Sequence, residues 1–194
     1  ICSYITQDKG NVEVCGLNTI ENSIASKNKI GYLPEHNPLY LDMYVKEFLS
    51  FISDIHKLKN KKDRIEEIIK ITGLNPEKNK KISELSKGYR QRVGIASALI
   101  HDPEVLILDE PTTGLDPNQL KEIRNLIKYI GKTKTVMLST HIMQEVEAIC
   151  DRVVIIKKGE IVADSTMSKL RNENTIYIEV EFNNCLLYTS PSPR

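Results

Sequence analysis

The sequence predicts an α/β protein built around a parallel β-sheet. Three short aliphatic runs, at residues 105–108, 136–138 and 153–156, are apolar at every position. Strands that helices cover on both faces need such runs, whereas strands with one wet face alternate. Amphipathic patterns typical of helices lie between the runs, at residues 117–130 and 142–149. This order of strands and helices predicts parallel strands joined by crossover helices.

The elements upstream follow from local patterns, in chain order. Residues 11–15 alternate polar and apolar side chains and stop at Gly16, which predicts a half-exposed antiparallel strand. Gly73 is expected to close a helix, because glycine favours helix C-termini. The other predicted elements are a strand at residues 29–33, helices at residues 45–58, 63–71 and 88–100, and a hairpin return strand at residues 160–163.

Length and composition indicate one substantial core, with room for a small appended lobe. The chain has 194 residues, of which 40% are hydrophobic and 27% charged. No apolar run approaches the ~20 residues that span a bilayer, so we expect a globular chain that does not cross a membrane itself. Lys and Arg number 27 against 26 Asp and Glu. This balance argues against a protein that binds mainly by neutralising nucleic-acid phosphates.

The cysteines indicate a reducing compartment. Cys2, Cys15, Cys150 and Cys185 are widely spaced and form no Cys-x-x-Cys pair. Neither a disulfide framework nor a zinc site is therefore predicted, and the cytoplasm fits best.

Both ends of the chain carry separate expectations. Residues 1–5 lack an initiator Met and look like the last turns of a helix, so we expect that the N-terminus is truncated. A strand is predicted at residues 175–182. Residues 185–194 share none of its alternation and resemble a translated sequencing-adapter sequence. A natural tail rich in Pro and Ser is the alternative.

Two adjacent carboxylates, Asp109 and Glu110, follow the aliphatic run 105–108 directly. Ligands of open parallel sheets bind beyond the carboxyl ends of the strands, where these two residues are expected. Asp109 suits a Mg²⁺ ion that carries nucleotide phosphates, and its neighbour, offset by one residue, could address an attacking water. The alternative is a strand end with two solvated acids.

A second candidate site precedes the predicted helix 88–100. Ser86 and Gly88, within the segment Leu85-Ser86-Lys87-Gly88-Tyr89, would present a hydroxyl, a backbone amide and a helix N-terminus to an anion. Ser86 could instead be only the N-cap of that helix.

These segments, in this order and spacing, resemble the ATP-binding cassette (ABC) ATPases of transporters over residues 1–184. Residues 85–89 match the family signature, residues 106–110 the Walker B segment and Gly114-Leu115-Asp116 the D-loop, and His141 matches the switch histidine. The resemblance implies a P-loop NTPase-like parallel sheet, a helical signature subdomain and a remnant antiparallel β segment. Within the family, the chain is most similar to exporter-type cassettes and to gliding-motility ATP-binding subunits.

The resemblance also implies the site residues and the cofactors, ATP and Mg²⁺. Asp109 would be linked to magnesium, Glu110 would be the catalytic glutamate and His141 would contact the γ-phosphate. Signature residues Ser86 and Gly88, with D-loop residue Asp116, would bind nucleotide, the signature acting on the nucleotide of a partner subunit.

The sequence departs from the family pattern at several positions. Glu35 stands where many cassettes carry the Q-loop glutamine, and a carboxylate there can still ligate Mg²⁺. Lys87 replaces the first signature glycine and Tyr89 the usual glutamine. No G-x-x-x-x-G-K-[ST] loop, the Walker A cradle for phosphates, occurs in the chain. Gly131-Lys132-Thr133 follows a predicted helix and precedes a strand, which is the reverse of the Walker A order.

The sequence therefore predicts an ATPase subunit that powers export through separate transmembrane permease subunits and works with a second ATPase subunit, a homodimer being expected. We expect it in the cytoplasm, at the inner face of the cell membrane, without a nucleic-acid partner. The domain prediction is an ABC ATPase domain at residues 1–170 without its Walker A region, then the start of an extension at residues 171–184. The alternatives are a soluble cassette that acts on nucleic acid or ribosomes, and a non-catalytic fragment.

The remaining polar features are interpreted as structural. The lysine-rich stretches at residues 57–62 and 78–81 contain no aromatic residues and are predicted to be solvated turns. His36, His56 and His101 lack the arrangement of metal ligands and are given surface or structural roles.

Overall fold

The computed structural model describes residues 1–2, 5 and 7–172. The chain divides into two compact units, Ile1–Ile149 and Cys150–Arg194. The predicted strand at residues 175–182 and the segment 185–194 lie outside the described residues, as does most of the predicted extension at residues 171–184. The domain boundaries expected from the sequence therefore stay a prediction.

The first unit alternates strands and helices. Its strands are β1 (Glu13–Val14), β2 (Leu17–Asn18), β3 (Ile30–Leu33), β4 (Val105–Asp109) and β5 (Thr135–Ser139). Its helices are α1 (Ser23–Lys27), α2 (Val45–Ile55), α3 (Lys61–Ile71), α4 (Lys87–Leu99), α5 (Pro117–Gly131) and α6 (Met143–Ile149), with 3₁₀ turns at Asn75–Glu77 and Ile82–Glu84. The elements predicted at these places are confirmed, whereas α1 and β2 were not predicted.

A three-stranded parallel sheet, in the order β3-β4-β5, forms the centre of the first unit. Leu33 pairs with Leu108, and Asp109 pairs with Ser139, so the carboxyl ends of all three strands meet at one edge. The parallel sheet predicted from the aliphatic runs is thus confirmed for β4 and β5. The predicted antiparallel segment is present as the short ladder of β1 with β2.

The core of the first unit packs aliphatic side chains of the sheet against helices α4 and α5. Leu106 and Leu108 of the central strand β4 are fully buried, as are Ile95 of α4 and Ile123 of α5. Burial of such side chains contributes about 1.5–3 kcal/mol each, which makes β4 a rigid support for the residues that follow it.

Shortening a buried side chain of the central strand β4 is expected to lower the free energy of unfolding substantially. Leu106→Ala should lower the free energy of unfolding by about 2–5 kcal/mol, because it removes buried methyl groups and leaves a cavity. Leu41→Ala makes the same deletion at a side chain that is 47% exposed, so its cost should stay far smaller. Urea unfolding followed by circular dichroism measures both variants, and equal losses would contradict the packing described here.

Helices α2, α3 and α4 form the predicted helical part of the unit. Gly73 adopts φ +69° after α3, and the Leu74 amide donates to the Ile69 carbonyl at 2.9 Å, so glycine closes this helix as predicted. Arg64 of α3 donates from Nε to the Ile100 carbonyl at 3.0 Å and from Nη2 to the Leu99 carbonyl at 2.8 Å. These bonds fasten α3 to the C-terminal end of α4.

The histidine pair His56 and His101 is structural, in agreement with the interpretation from the sequence. Their rings stack with centroids 4.0 Å apart, and His101 Nε2 lies 3.0 Å from the Ile30 carbonyl oxygen. Burial, and then the neighbouring His56 and basic residues, lower the pKa of His101 to about 4. The neutral imidazole therefore belongs to the folded state.

The second unit corrects the prediction for residues 153–156. They lie in β6 (Arg152–Lys157), which pairs antiparallel with β7 (Glu160–Thr166) in a separate two-stranded sheet, followed by α7 (Met167–Asn172). Lys158 and Gly159 have φ values of +52° and +83°, the left-handed pair that favours a two-residue hairpin turn. The predicted hairpin return is confirmed, but the parallel, helix-covered environment is wrong, because Ile156 is 67% exposed.

The prediction that residues 1–5 form the last turns of a helix is also wrong for the three of them that the structure describes. Ile1, Cys2 and Ile5 do not lie in a helix. Apolar content alone, without the full periodicity of a helix face, was insufficient to fix the conformation there. Within the described part of the chain, no helix combines the length and hydropathy needed to traverse a bilayer.

Candidate functional site

The candidate site lies at the carboxyl edge of the parallel sheet. Asp109 is the last residue of β4 and Ser139 the last of β5. Glu110 and His141 follow these strands and meet across the edge, where His141 Nδ1 lies 2.8 Å from Glu110 Oε1. The structure thus brings together residues that are far apart in the sequence and that the sequence predicted to act together.

Asp109 is held by its neighbour on β5. The Ser139 hydroxyl donates to Asp109 Oδ1, and the aspartate is only partly exposed. A Mg²⁺ ion bound with nucleotide phosphates needs only one or two protein carboxylates, so an oriented Asp109 fits such an ion. Among the residues that the structure describes, no cluster of three His, Cys, Asp or Glu side chains is arranged to hold a metal by itself.

Glu110 has an unusual backbone conformation. Its φ is +46°, in the left-handed region that side chains other than glycine rarely adopt. The Glu110 amide donates to the Ser139 carbonyl at 3.1 Å, continuing the ladder one step beyond the strand. The turn directs the carboxylate toward His141 and Thr113, whose hydroxyl donates to Glu110 Oε2 at 3.0 Å. Strained backbone of this kind is common at functional sites.

The Glu110 carboxylate and the His141 imidazole shift each other's titration. Burial acts to raise the pKa of Glu110, but the hydrogen bonds from His141 and Thr113 outweigh it and hold that pKa below the ordinary value. The hydrogen bond to Glu110 and its negative charge raise the pKa of His141, with smaller contributions from Glu145 and Glu35. The pair therefore favours a protonated imidazole beside an ionised carboxylate.

An NMR titration is expected to detect this pair. The His141 imidazole should titrate above the ordinary histidine value of about 6.5, and Glu110→Gln should move its midpoint back toward that value. The contact stabilises the protonated histidine, so its contribution to stability is present below the ordinary pKa and is lost as the pH rises through the raised one. A His141 midpoint that Glu110→Gln leaves in place would show that the contact is absent in solution.

Glu35 is exposed and lies after β3. Leu33, two residues earlier, pairs with Leu108, which places Glu35 at the same edge of the sheet as Asp109 and Glu110, and its charge contributes to the raised pKa of His141. Its role as a magnesium ligand stays a prediction.

Ser86 and Gly88 form a second group at the N-terminus of α4. Ser86 caps this helix by accepting from the Tyr89 amide at 3.4 Å, so it is an N-cap, as the sequence allowed. Gln119 Nε2 of α5 also donates to Ser86 Oγ at 3.2 Å. A Cβ at Gly88 would lie 2.6 Å from the Gln119 side chain, so a larger residue there would require this side chain to move away.

Asp116 caps α5 in the structure. Its Oδ1 accepts from the amides of Asn118 and Gln119 at 3.0 and 2.9 Å. A Cβ at Gly114, which has φ +69°, would meet the Lys87 ammonium at 2.1 Å. The signature and D-loop segments of one chain are thus in contact, and the predicted nucleotide role of Asp116 stays a prediction.

Sequence reasoning missed the residues that support this site. Gln119, which joins the two segments, and the buried residues Thr112 and Glu145 were not singled out. A buried glutamate cannot be recognised from an amphipathic pattern, because such a pattern predicts charged residues on the solvent-exposed face of a helix.

The fold is that of an ABC ATPase domain, and solved structures share it. The structure of cbiO1 from Clostridium perfringens, part of the ABC transporter complex cbiONQ, is similar with a TM-score of 0.80 and 28% identity, covering 89% of this chain and 72% of that one. The family model described as ABC transporter matches residues 1–113. The chain belongs to the ABC transporter family.

Curated relatives agree with this assignment. The bacitracin transport ATP-binding protein BcrA of Bacillus licheniformis is 36% identical over 93% of this chain. The ABC transporter ATP-binding protein NatA of Bacillus subtilis is 37% identical over 92% of this chain. The chain spans 60% of the length of the former and 76% of the latter.

Proposed function

We propose that this chain is the ATP-binding and ATP-hydrolysing part of an ABC transporter that powers export through partner transmembrane subunits. The contact of Glu110 with His141 at 2.8 Å, beside Asp109, is the observation that carries the proposal. Two carboxylates and an imidazole share one edge of the sheet, and this supports a site in which Glu110 would act on water, His141 on phosphate and Asp109 on Mg²⁺.

The proposed roles follow from the chemistry of these groups. Asp109, oriented by Ser139, would hold Mg²⁺, which would neutralise phosphate charge when bound with ATP, and Glu35 is a further candidate ligand. Glu110 would accept a hydrogen bond from the attacking water and orient it. His141 contacts Glu110 through Nδ1, which leaves Nε2 as the ring nitrogen to face the γ-phosphate.

The second group of residues supports a site shared between two subunits. Ser86 and Gly88 start a helix whose amide groups favour an anion, yet they contact Gln119 rather than Asp109 or Glu110. We propose that they bind the nucleotide of a second ATPase subunit, with Asp116 near the same interface, and that the complete site forms in a homodimer.

An apolar stripe formed by Tyr44, the N-cap of α2, and by Phe51 and Ile55 of α2 supports a membrane partner. Tyr44, Phe51 and Ile55 recur at helical spacing and are 47%, 37% and 59% exposed, and Tyr40 packs edge-on against Phe51 with ring centroids 5.6 Å apart. Exposed apolar patches of this kind mark protein interfaces. We propose that a permease subunit covers the stripe, which would place the chain in the cytoplasm at the inner face of the membrane.

The rival function as a nucleic-acid cassette is less well supported. Lys61 pairs with Asp54 at 2.8 Å, Lys78 with Glu66 at 3.3 Å and Lys80 with Glu77 at 2.8 Å. Internal carboxylates thus pair with two of the three lysines at residues 78–81, but with one of the four at residues 57–62. A role in transport is supported by the BcrA relative, whose name states bacitracin transport. Export and the narrower gliding-motility assignment remain predictions from resemblance.

Nucleotide titration tests the proposal. The 194 residues contain no Walker A sequence, so by themselves they should bind a fluorescent ATP analogue weakly and hydrolyse ATP negligibly. The gene expressed with whatever coding sequence precedes Ile1 should bind and hydrolyse ATP if that sequence supplies the phosphate-binding loop. Micromolar binding with turnover by the 194 residues would contradict our interpretation of the site. A longer protein that has the loop but binds no ATP would refute the ATPase function.

A further inference from the structure

A buried carboxylate lies behind the Glu110–His141 pair. Glu145, near the start of α6, is fully buried. Among the buried residues of the described part of the chain it is the only Asp, Glu, Lys or Arg. Burial of a charge costs several kcal/mol unless partners compensate for it, so the contacts of this side chain need an explanation.

The contacts of Glu145 reach both strand ends of the site. Its Oε2 accepts from the hydroxyl of Thr112 and from the hydroxyl of Thr140 at 3.4 Å. Thr112 is two residues beyond Glu110, and Thr140 is adjacent to His141. One carboxylate oxygen therefore links the segment that carries the proposed water-orienting residue to the segment that carries the histidine.

The other carboxylate oxygen is poorly satisfied. Glu145 Oε1 lies 3.8 Å from Arg124 Nη2 of α5, and neither Oε1 nor the buried Arg124 Nε has a hydrogen-bond partner. Unsatisfied buried groups are uncommon in native proteins and call for a reason beyond stability. A hydrophobic side chain would fill this position at lower cost, but it could not bridge the two threonines.

We propose that Glu145 is a positioning residue that holds Glu110 and His141 within hydrogen-bonding distance by bridging Thr112 and Thr140. It touches neither water nor nucleotide in this role, and it acts only through the two segments that it joins. The catalytic meaning of the pair rests on the proposed function, but the bridge itself is a property of the chain without nucleotide.

Nitrogen-15 NMR of His141 in the full 194-residue chain, at one fixed pH, tests the bridge. In the wild type, Glu110→Gln should shift the Nδ1 resonance, because it changes the acceptor of that nitrogen. In a Glu145→Ala background, Glu110→Gln should lose most of this effect. Glu145→Gln keeps an oxygen acceptor for the threonines, so in that background Glu110→Gln should still shift the Nδ1 resonance. The readout needs no ATP, so it is independent of the hydrolysis assay that tests the function.

Threonine variants keep the test decisive if Glu145→Ala does not fold. Thr112→Val removes the donor to Oε2 and should weaken the Glu110 dependence of the His141 signal. Thr72→Val is the matched control, because Thr72 is also buried but donates within α3 to the Ile68 carbonyl. The proposal would be overturned if folded Glu145→Ala or Thr112→Val kept the full effect of Glu110→Gln on the His141 signal. It would also be overturned if Thr72→Val lost this effect as strongly as Thr112→Val does, or if Glu145→Gln lost it as strongly as Glu145→Ala does.

Discussion

Glu110→Gln is expected to reduce ATP hydrolysis by roughly 10²–10⁴-fold while nucleotide binding persists, in the gene product that includes any coding sequence before Ile1. The amide occupies the same space as the carboxylate but no longer accepts the proton or orients the water as strongly. Binding should persist, because Asp109 and the signature residues are unchanged. Slow turnover should let a closed, ATP-bound dimer accumulate, which size-exclusion chromatography with ATP and Mg²⁺ would measure.

Glu104→Gln is the matched control for this variant. Glu104 precedes the same strand at its opposite end and pairs with Lys29 on the surface, so the same loss of charge there should leave turnover nearly unchanged. If Glu110→Gln hydrolyses ATP at the wild-type rate, Glu110 is not the residue that acts on water. His141 and Glu35, which lie at the same edge, would then be the next candidates.

Ser86→Arg is expected to abolish ATP-dependent dimerisation and hydrolysis in the same gene product, while ATP binding by the monomer stays nearly intact. Ser86 caps α4, where an arginine would displace the Gln119 contact and enter the space that we propose for a partner's γ-phosphate. Monomer binding should survive because the proposed nucleotide contacts of Ser86 belong to the other subunit. Ser83→Arg makes the same change at an exposed position nearby and should retain dimerisation.

Mixing two inactive variants separates action in trans from general damage. If the coding sequence before Ile1 supplies a Walker A lysine, a Ser86→Arg subunit combined with a subunit in which that lysine is replaced should form one composite site from the two unmutated halves and recover part of the activity. An inactive mixture, with mixed dimers present, would mean that one intact site does not support turnover. Normal closure and hydrolysis by Ser86→Arg alone would show that the signature does not act in trans.

The sequence predicted the central fold because its signals are local. The aliphatic runs at residues 105–108 and 136–138 became β4 and β5, and the amphipathic pattern at residues 117–130 became α5. The run at residues 153–156 misled, since β-branched residues also form hairpins and only the Lys158-Gly159 turn distinguishes the two outcomes. The helix α1 was missed because its five residues span little more than one turn, too short for a helical periodicity to be recognised.

Only those residues of the candidate site that belong to a recognisable motif at the end of a strand could be predicted from the sequence. Asp109 and Glu110 were found from their place after an aliphatic strand, and His141 from the resemblance to the switch histidine of the family. Their direct contact follows from the register that pairs Asp109 with Ser139, and register between distant strands cannot be obtained from one sequence by periodicity. The bridge through Glu145 was missed for the same reason, since its partners lie on different segments.

The left-handed backbone at Glu110 makes the residue that would be most stable at this position different from the one that our proposed mechanism needs. A glutamate with φ +46° carries a penalty of about 1–2 kcal/mol that glycine escapes. A directed-evolution library sorted only for survival at high temperature therefore favours glycine at this position, and with it the loss of the carboxylate. To obtain a thermostable variant of this protein, each round of selection should therefore also screen for turnover. Residue 110 then stays acidic, and stabilising substitutions accumulate at other positions.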